Sequence, residues 1–156
     1  MFKKLYTIGY EGLNIEQYIK KLIENDIRAV VDVRRNAFSY KSNFSKDELN
    51  SCLLQRNILY YHIPELGIDS NKRKNVKLTI EPEITLFGEE KSQLQILFDE
   101  YKRILPTKQK HIELLLNIIN KYQNVALTCF EHDYKCCHRH IIAEYIKNEV
   151  NIIKHL

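Results

Sequence analysis

Ala29-Val30-Val31-Asp32-Val33 decides the fold. The run is β-branched and almost continuously apolar, the character of a parallel strand covered on both faces rather than of a strand with one wet side. Upstream, Leu5-Tyr6-Thr7-Ile8-Gly9 reads as a second strand, ended by Gly9-Tyr10-Glu11-Gly12. Between the two, Ile15, Tyr18, Ile19, Leu22 and Ile23 recur at helical spacing. Asn14 is placed to cap that helix and Asn25-Asp26 to end it. The chain therefore opens with a strand, helix, strand unit of the kind that builds a parallel sheet.

The pattern continues downstream. After a polar stretch over residues 34–44, Ser45 and Glu48 predict a capping box for a helix through about Arg56. Ile58 to Ile63 follows as a third strand, closed by Pro64-Glu65-Leu66-Gly67. Residues 69–90 are charged, weakly periodic and interrupted by Pro82 and Gly88, which predicts a flexible excursion. Leu94, Leu97, Phe98, Tyr101 and Ile104 form one helical face, Pro106 breaks it, and Ile112, Leu115, Leu116 and Ile119 form another. Val125-Ala126-Leu127-Thr128-Cys129 is a fourth strand. A last helix spans His138 to about Lys147, and Val150 to Ile153 returns as an edge strand. The expectation is a single α/β domain over residues 1–156, with a mainly parallel sheet of four to five strands and helices on both faces.

Composition agrees. The 156 residues carry 24 Lys plus Arg against 20 Asp plus Glu, with 44% hydrophobic and 28% charged residues, which excludes disordered and fibrous classes. A chain of this length buries roughly 68–70% of its unfolded surface, so its core requires neither disulfides nor a metal. The net charge of +4 and a pI near 8.8 favour anionic partners slightly and fall short of a nucleic-acid coat protein. Cys52, Cys129, Cys136 and Cys137, with a start that lacks a signal-peptide pattern, point to a reduced, cytoplasmic protein. No stretch approaches the ~20 apolar residues of a membrane span.

In such sheets ligands bind beyond the carboxyl ends of the strands, which selects four loops: Tyr10–Gly12, Asp32–Phe44, Pro64–Gly67 and Phe130–His140. In Asp32-Val33-Arg34-Arg35 the two arginines alternate, so one is a fork for a carboxylate or phosphate and the other a surface cation. The alternative is an internal salt bridge to Asp32 or a glutamate. In Cys129-Phe130-Glu131-His132-Asp133-Tyr134-Lys135-Cys136-Cys137-His138-Arg139-His140 a strand runs through a polar loop into a helix. Cys137 near that helix start, beside His138, Arg139 and His140, is expected to ionise readily and act as a nucleophile, with Cys129 as a second thiol. Arg139 could clamp an anion, and Glu131 could move a proton or fix an arginine. The alternative is that Cys136 and Cys137 simply pack a helix start. Tyr10 and Glu11, between Gly9 and Gly12, occupy a loop where backbone can approach a ligand. Cys129-x-x-His132 and Cys137-x-x-His140 resemble metal clips, but only four residues separate them against ~12 or more in zinc fingers, and no residue is assigned to a metal. Phe38, Tyr40 and Phe44 could stack on a base, and Lys72-Arg73-Lys74-Asn75-Val76-Lys77 could meet phosphates.

Thr7-Ile8-Gly9-Tyr10-Glu11-Gly12, Val31-Asp32-Val33-Arg34-Arg35, Phe44-Ser45-Lys46, Tyr61-His62-Ile63-Pro64-Glu65-Leu66-Gly67 and Cys129-Phe130-Glu131 with Cys137-His138-Arg139 occur in this order. The set resembles the domain-of-unknown-function 488 family over nearly the whole chain. That resemblance implies an α/β domain whose signature residues gather at one site, without implying a particular reaction. Ala37 stands where the family commonly has Pro, and residues 69–90 depart from its pattern.

The functional expectation is an enzyme acting on an anionic substrate, phosphate- or carboxylate-bearing and of nucleotide origin in one form. Cys137, Glu131 and Cys129 would supply the chemistry, and Arg34, Arg35, Arg139, His138, Tyr10 and Glu11 would bind the substrate. Two alternatives stand beside it: a non-catalytic module for nucleotide or nucleic acid, and a structural zinc or salt-bridge site.

Overall fold

The apolar runs that open the chain lie in one sheet but are not neighbours. β1 (Lys4–Gly9) and β2 (Ala29–Asp32), linked by α1 (Ile15–Glu24), are separated by β6 (Asn124–Cys129), which hydrogen-bonds in parallel to both. β3 (Leu59–His62) lies beside β2, and β7 (Ile152–His155) beside β1, giving an all-parallel sheet of order β3-β2-β6-β1-β7. The computed structural model describes residues 2–69, 71–72, 83–84 and 90–156. Among these, no helix is long and apolar enough to cross a membrane.

The local reasons are in the residues. α1 starts in a reciprocal capping box: Gln17 N–H donates to Asn14 Oδ1 at 2.8 Å and Asn14 N–H to Gln17 Oε1 at 2.9 Å. Its Tyr18 and Leu22 turn inward at the i, i+4 spacing. α2 (Lys46–Leu54) lacks the box expected of Ser45 and Glu48. Ser45 Oγ instead exchanges two 3.1 Å hydrogen bonds with the backbone of Ser39, and Glu48 accepts from Asn43 N–H at 3.0 Å. The loop before the helix has taken both capping groups to hold itself together. Pro106 ends α3 (Gln93–Ile104) in a 3₁₀ turn, and α4 (Gln109–Tyr122) follows. The last helix, α5 (Arg139–Tyr145), is shorter than its apolar pattern suggested, and the edge strand starts at Ile152 rather than Val150.

Helices cover both faces of the sheet. α1 and α2 pack Tyr18, Leu22, Leu49 and Leu53 against Tyr6, Ile8 and Val30. α3, α4 and α5 pack Phe98, Tyr101, Leu115, Ile119 and Ile142 against Leu5, Val31 and Leu127. The excursion expected over residues 69–90 lies largely outside the described residues, as does the basic run after Lys72. Within them, β4 (Glu83–Ile84) and β5 (Glu90–Lys91) form an antiparallel ribbon.

This topology fixes where a ligand can sit. The chain leaves β1 and β2 toward helices on one face and leaves β6 toward α5 on the other. The loops after β6 therefore diverge from those after its two neighbours, opening a crevice at the carboxyl end of the central strand.

Candidate functional site

Gly9 and Cys129 end β1 and β6 in register, and the backbone of residues 129–132 folds across the end of β1. A methyl group at Gly9 would lie 1.8 Å from the Glu131 carbonyl oxygen, so only glycine permits the crossing. Glu11 N–H donates to Phe130 O at 2.8 Å, and the Glu11 carboxylate accepts from His132 N–H at 2.9 Å. Glu11 thus fastens one loop to the next. Asp133 caps a 3₁₀ turn over Tyr134–Cys136, after which Cys137 is extended and returns to the sheet.

That return brings three buried side chains together. The ligand atoms of Cys129, Cys137 and His138 all lie within 4.8 Å of one another, with Cys137 Sγ 3.8 Å from His138 Nδ1. His138 Nε2 is 2.9 Å from Val33 O. A carbonyl only accepts, so Nε2 carries a proton, while Nδ1 faces the Cys137 sulfur. The Tyr101 ring meets the imidazole edge-on at 5.5 Å and fixes its plane. Burial resists ionisation of Cys137. The Cys129 thiol hydrogen bond, His138 and the Arg139 charge outweigh it and hold the Cys137 thiol well below the usual range. Cys129 also donates to Glu131 Oε2 at 3.4 Å. The clips suggested by spacing do not form this cluster: His132 is exposed, and His140 Nδ1 sits 2.5 Å from Cys137 O. Cys136 is exposed, near Asp133.

The three arginines part ways. Arg34 is buried, gripping Asp32 through Nε at 2.9 and 3.0 Å and through a terminal nitrogen at 2.5 Å. Its other terminal nitrogen donates to Tyr10 Oη at 2.8 Å and to Phe44 O at 2.9 Å. Burial opposes the guanidinium charge, but the Asp32 hydrogen bonds and charge overcome it and raise the Arg34 pKa. Tyr60 completes the network by donating to Asp32 at 2.7 Å. Arg139 is wholly enclosed and donates to Glu131 O at 2.6 Å and His132 O at 3.0 Å, so it braces the loop from beneath. Of the three guanidiniums read as anion-binding groups, Arg34 and Arg139 thus have protein acceptors, although Arg139 Nε is buried without one among the described residues. Arg35 is the exposed one, turned outward by the alternation that turned Arg34 in. A methyl group at Gly67 would lie 2.2 Å from Arg35 N, so the Pro64–Gly67 turn rests directly on the Arg35 backbone. Glu65 faces away, toward His111 at 3.7 Å.

A cavity of about 500 Å³ opens over these groups. Arg35 and Lys41 line it with Arg34, whose charge Asp32 pairs; Tyr10, Phe38, Tyr40 and Phe130 supply its aromatic surface, and Cys129 and His138 line it as well. Cys137, Arg139, Glu131 and Glu11 are not among its lining residues. Tyr10, stacked on Phe44 at 4.4 Å and 10°, joins the wall to the core. Lys41 drew no notice in the sequence, where nothing distinguishes it from other loop lysines; its position depends on a hydrogen bond to Tyr10 O. A smaller cavity of about 210 Å³ shares Arg35 and adds Lys72 and Lys108, and burial together with the Arg35 charge lowers the Lys108 pKa.

The family described as Domain of unknown function DUF488 matches residues 14–146. The chain belongs to the DUF488 family. No curated protein and no solved structure matches it. The DUF488 match includes Arg34, Arg35 and the whole Cys129 to His138 cluster, while β1 with Gly9, Tyr10 and Glu11 precedes the matched span. In this DUF488 chain Ala37 is buried, and its carbonyl accepts from Lys46 N–H at 2.8 Å, which anchors the cavity loop to the start of α2.

Proposed function

We propose that this DUF488 domain is an enzyme that acts on an anionic, phosphate- or carboxylate-bearing substrate held in the cavity at the carboxyl ends of β1, β2 and β6. The observation that carries the reading is the convergence of Arg35 and Lys41 with Cys129 and His138 on one cavity of about 500 Å³. That volume lies in the ~300–1,000 Å³ range of small-ligand sites. Arg35 offers a planar fork to the anion, and Lys41 adds a point charge. Phe38 and Tyr40, 5.0 Å apart and 59% and 98% exposed, offer aromatic faces on which a base can stack, which favours a nucleotide-derived substrate. Glu131, hydrogen-bonded to the Cys129 thiol, is the group placed to take up or return a proton.

Calorimetry with inorganic phosphate and a nucleoside monophosphate at low salt tests the reading. Arg35→Ala should weaken binding by roughly 10- to 150-fold, the worth of a charge-assisted contact of about 1.5–3 kcal/mol. Glu131→Gln should leave binding intact and abolish product formation. Failure of both probes to bind at millimolar concentration, or indifference to Arg35→Ala, rejects the site. Tight binding with no product from any phosphate ester favours a non-catalytic nucleotide module instead.

A further inference from the structure

We propose that Cys129, Cys137 and His138 hold a divalent metal ion of the zinc class, with a fourth coordination position open to the cavity. The inference goes beyond the anion-binding reading and stands on these three side chains alone.

The geometry is that of ligands rather than of a nucleophile with its base. Cys137 is fully enclosed and Cys129 nearly so, at 0% and 3% exposure, so a substrate atom has little approach to either sulfur. A metal ion needs no such approach, because it lies among the sulfurs. A tetrahedral site with metal–sulfur bonds of about 2.3 Å and a metal–nitrogen bond of about 2.0 Å sets its ligand atoms roughly 3.5–3.8 Å apart. Cys137 Sγ and His138 Nδ1 are already 3.8 Å apart, and all three atoms fall within 4.8 Å. Closure therefore requires side-chain shifts of about 1 Å or less.

The surroundings fit the same conclusion. The His138 Nε2–H to Val33 O bond at 2.9 Å is the outer contact that orients a metal-bound imidazole and leaves Nδ1 for the ion. Two thiolates cancel the charge of a divalent ion, so the loaded cluster is neutral, as burial demands. Cys129 and His138 line the cavity while Cys137 lies behind them, so the vacant position faces the substrate space. Two sulfurs and one nitrogen with a vacancy match the ligand count of catalytic rather than structural zinc. The two clips whose close spacing argued against a metal took their nitrogens from His132 and His140, neither of which belongs to this trio.

The test is cobalt(II) titration of the purified full chain with its thiols kept reduced, alongside zinc analysis of the same sample. One equivalent of cobalt should bind with a thiolate-to-cobalt charge-transfer band and the intense visible bands of a tetrahedral site. Cys129→Ser and Cys137→Ser should each diminish the charge-transfer band and weaken cobalt binding by more than about tenfold, whereas Cys136→Ser and Cys52→Ser should leave both unchanged. If a buried variant fails to fold, X-ray absorption of the zinc-loaded wild type decides, with two sulfurs near 2.3 Å expected in the first shell. A reduced wild type without the charge-transfer band, or a band lost in Cys136→Ser, overturns the proposal. Phosphate binding by a protein that takes up no metal refutes the metal site alone, and metal uptake without phosphate binding refutes the substrate reading alone.

Discussion

Replacing Arg34 with Met removes a guanidinium while keeping most of its apolar length, and the structure says what is left behind. Asp32 is fully buried and Arg34 is 6% exposed, so the carboxylate loses its counter-charge in a place water does not reach. Two neutral donors remain to it, the backbone N–H of residue 34 at 3.0 Å and Tyr60 Oη at 2.7 Å. Removing one partner of a buried pair costs about 3–5 kcal/mol, because the survivor stays charged and uncompensated. For a chain of 156 residues that is a fall in Tm of roughly 6–20 °C, at ~2–4 °C per kcal/mol. Arg34 also holds Tyr10 Oη and Phe44 O, so amides over residues 36–44 should exchange faster in the variant even far below its Tm. Urea denaturation followed by circular dichroism gives the first quantity, and hydrogen exchange read by mass spectrometry the second. A loss below about 1 kcal/mol, with unchanged protection of residues 36–44, would refute both the burial argument and the role of Arg34 as the clasp of the cavity loop.

Other variants probe separate contacts. Gly9→Ala forces a carbon against the Glu131 carbonyl and should cost about 1–3 kcal/mol or more by thermal denaturation; a neutral result contradicts the crossing of that loop over β1. Gly67→Ala should be destabilising for the same reason, through Arg35 N, and should also disturb phosphate binding by displacing Arg35. Tyr18→Phe removes a 2.9 Å hydrogen bond to buried Thr128 Oγ1 and should cost about 1 kcal/mol in urea titration, with equal stability counting against it. Burial, with the charges of Arg139 and His140, lowers the His155 pKa, so the unfolded chain binds the proton more readily. Stability from this group is full above ~6.5 and is lost as pH falls through the folded value, so Tm plotted against pH should be flatter at acid pH in His155→Gln than in the wild type.

The sheet was legible because buried parallel strands announce themselves. Ala29–Val33 and Val125–Cys129 read as covered strands, and the rule of carboxyl-end sites then singled out four loops, three of which contribute lining residues to the cavity of about 500 Å³. Less was legible where a residue's role depends on distant partners. Nothing local to Asp32-Val33-Arg34-Arg35 tells which arginine turns inward; Tyr10, Phe44 and Tyr60 decide it from other loops. Ser45 and Glu48 have the spacing of a capping box, yet Ser39 and Asn43 compete for them once the preceding loop folds back. The Cys129, Cys137 and His138 cluster eluded spacing rules because a 3₁₀ turn and an extended residue, not a helix or a hairpin, carry the chain between the two cysteines. Asn14 was legible as a cap, while its reciprocal partner Gln17 was not singled out.

The insertion of β6 between β1 and β2 has a consequence for how the protein is made. Lys4 of β1 is paired with Asn124 of β6, 120 positions later, and with Ile152 of β7 beyond that. A ribosome adding ~5–20 residues per second leaves β1 without either neighbour for roughly 6–24 s after it emerges. During that interval a strand that is almost wholly buried in the finished fold has both edges unsatisfied, an invitation to chaperones and to self-association alike. The crevice that holds Cys129 takes shape only when this long-range pairing closes, so the capacity to bind anything there arrives late in synthesis and all at once.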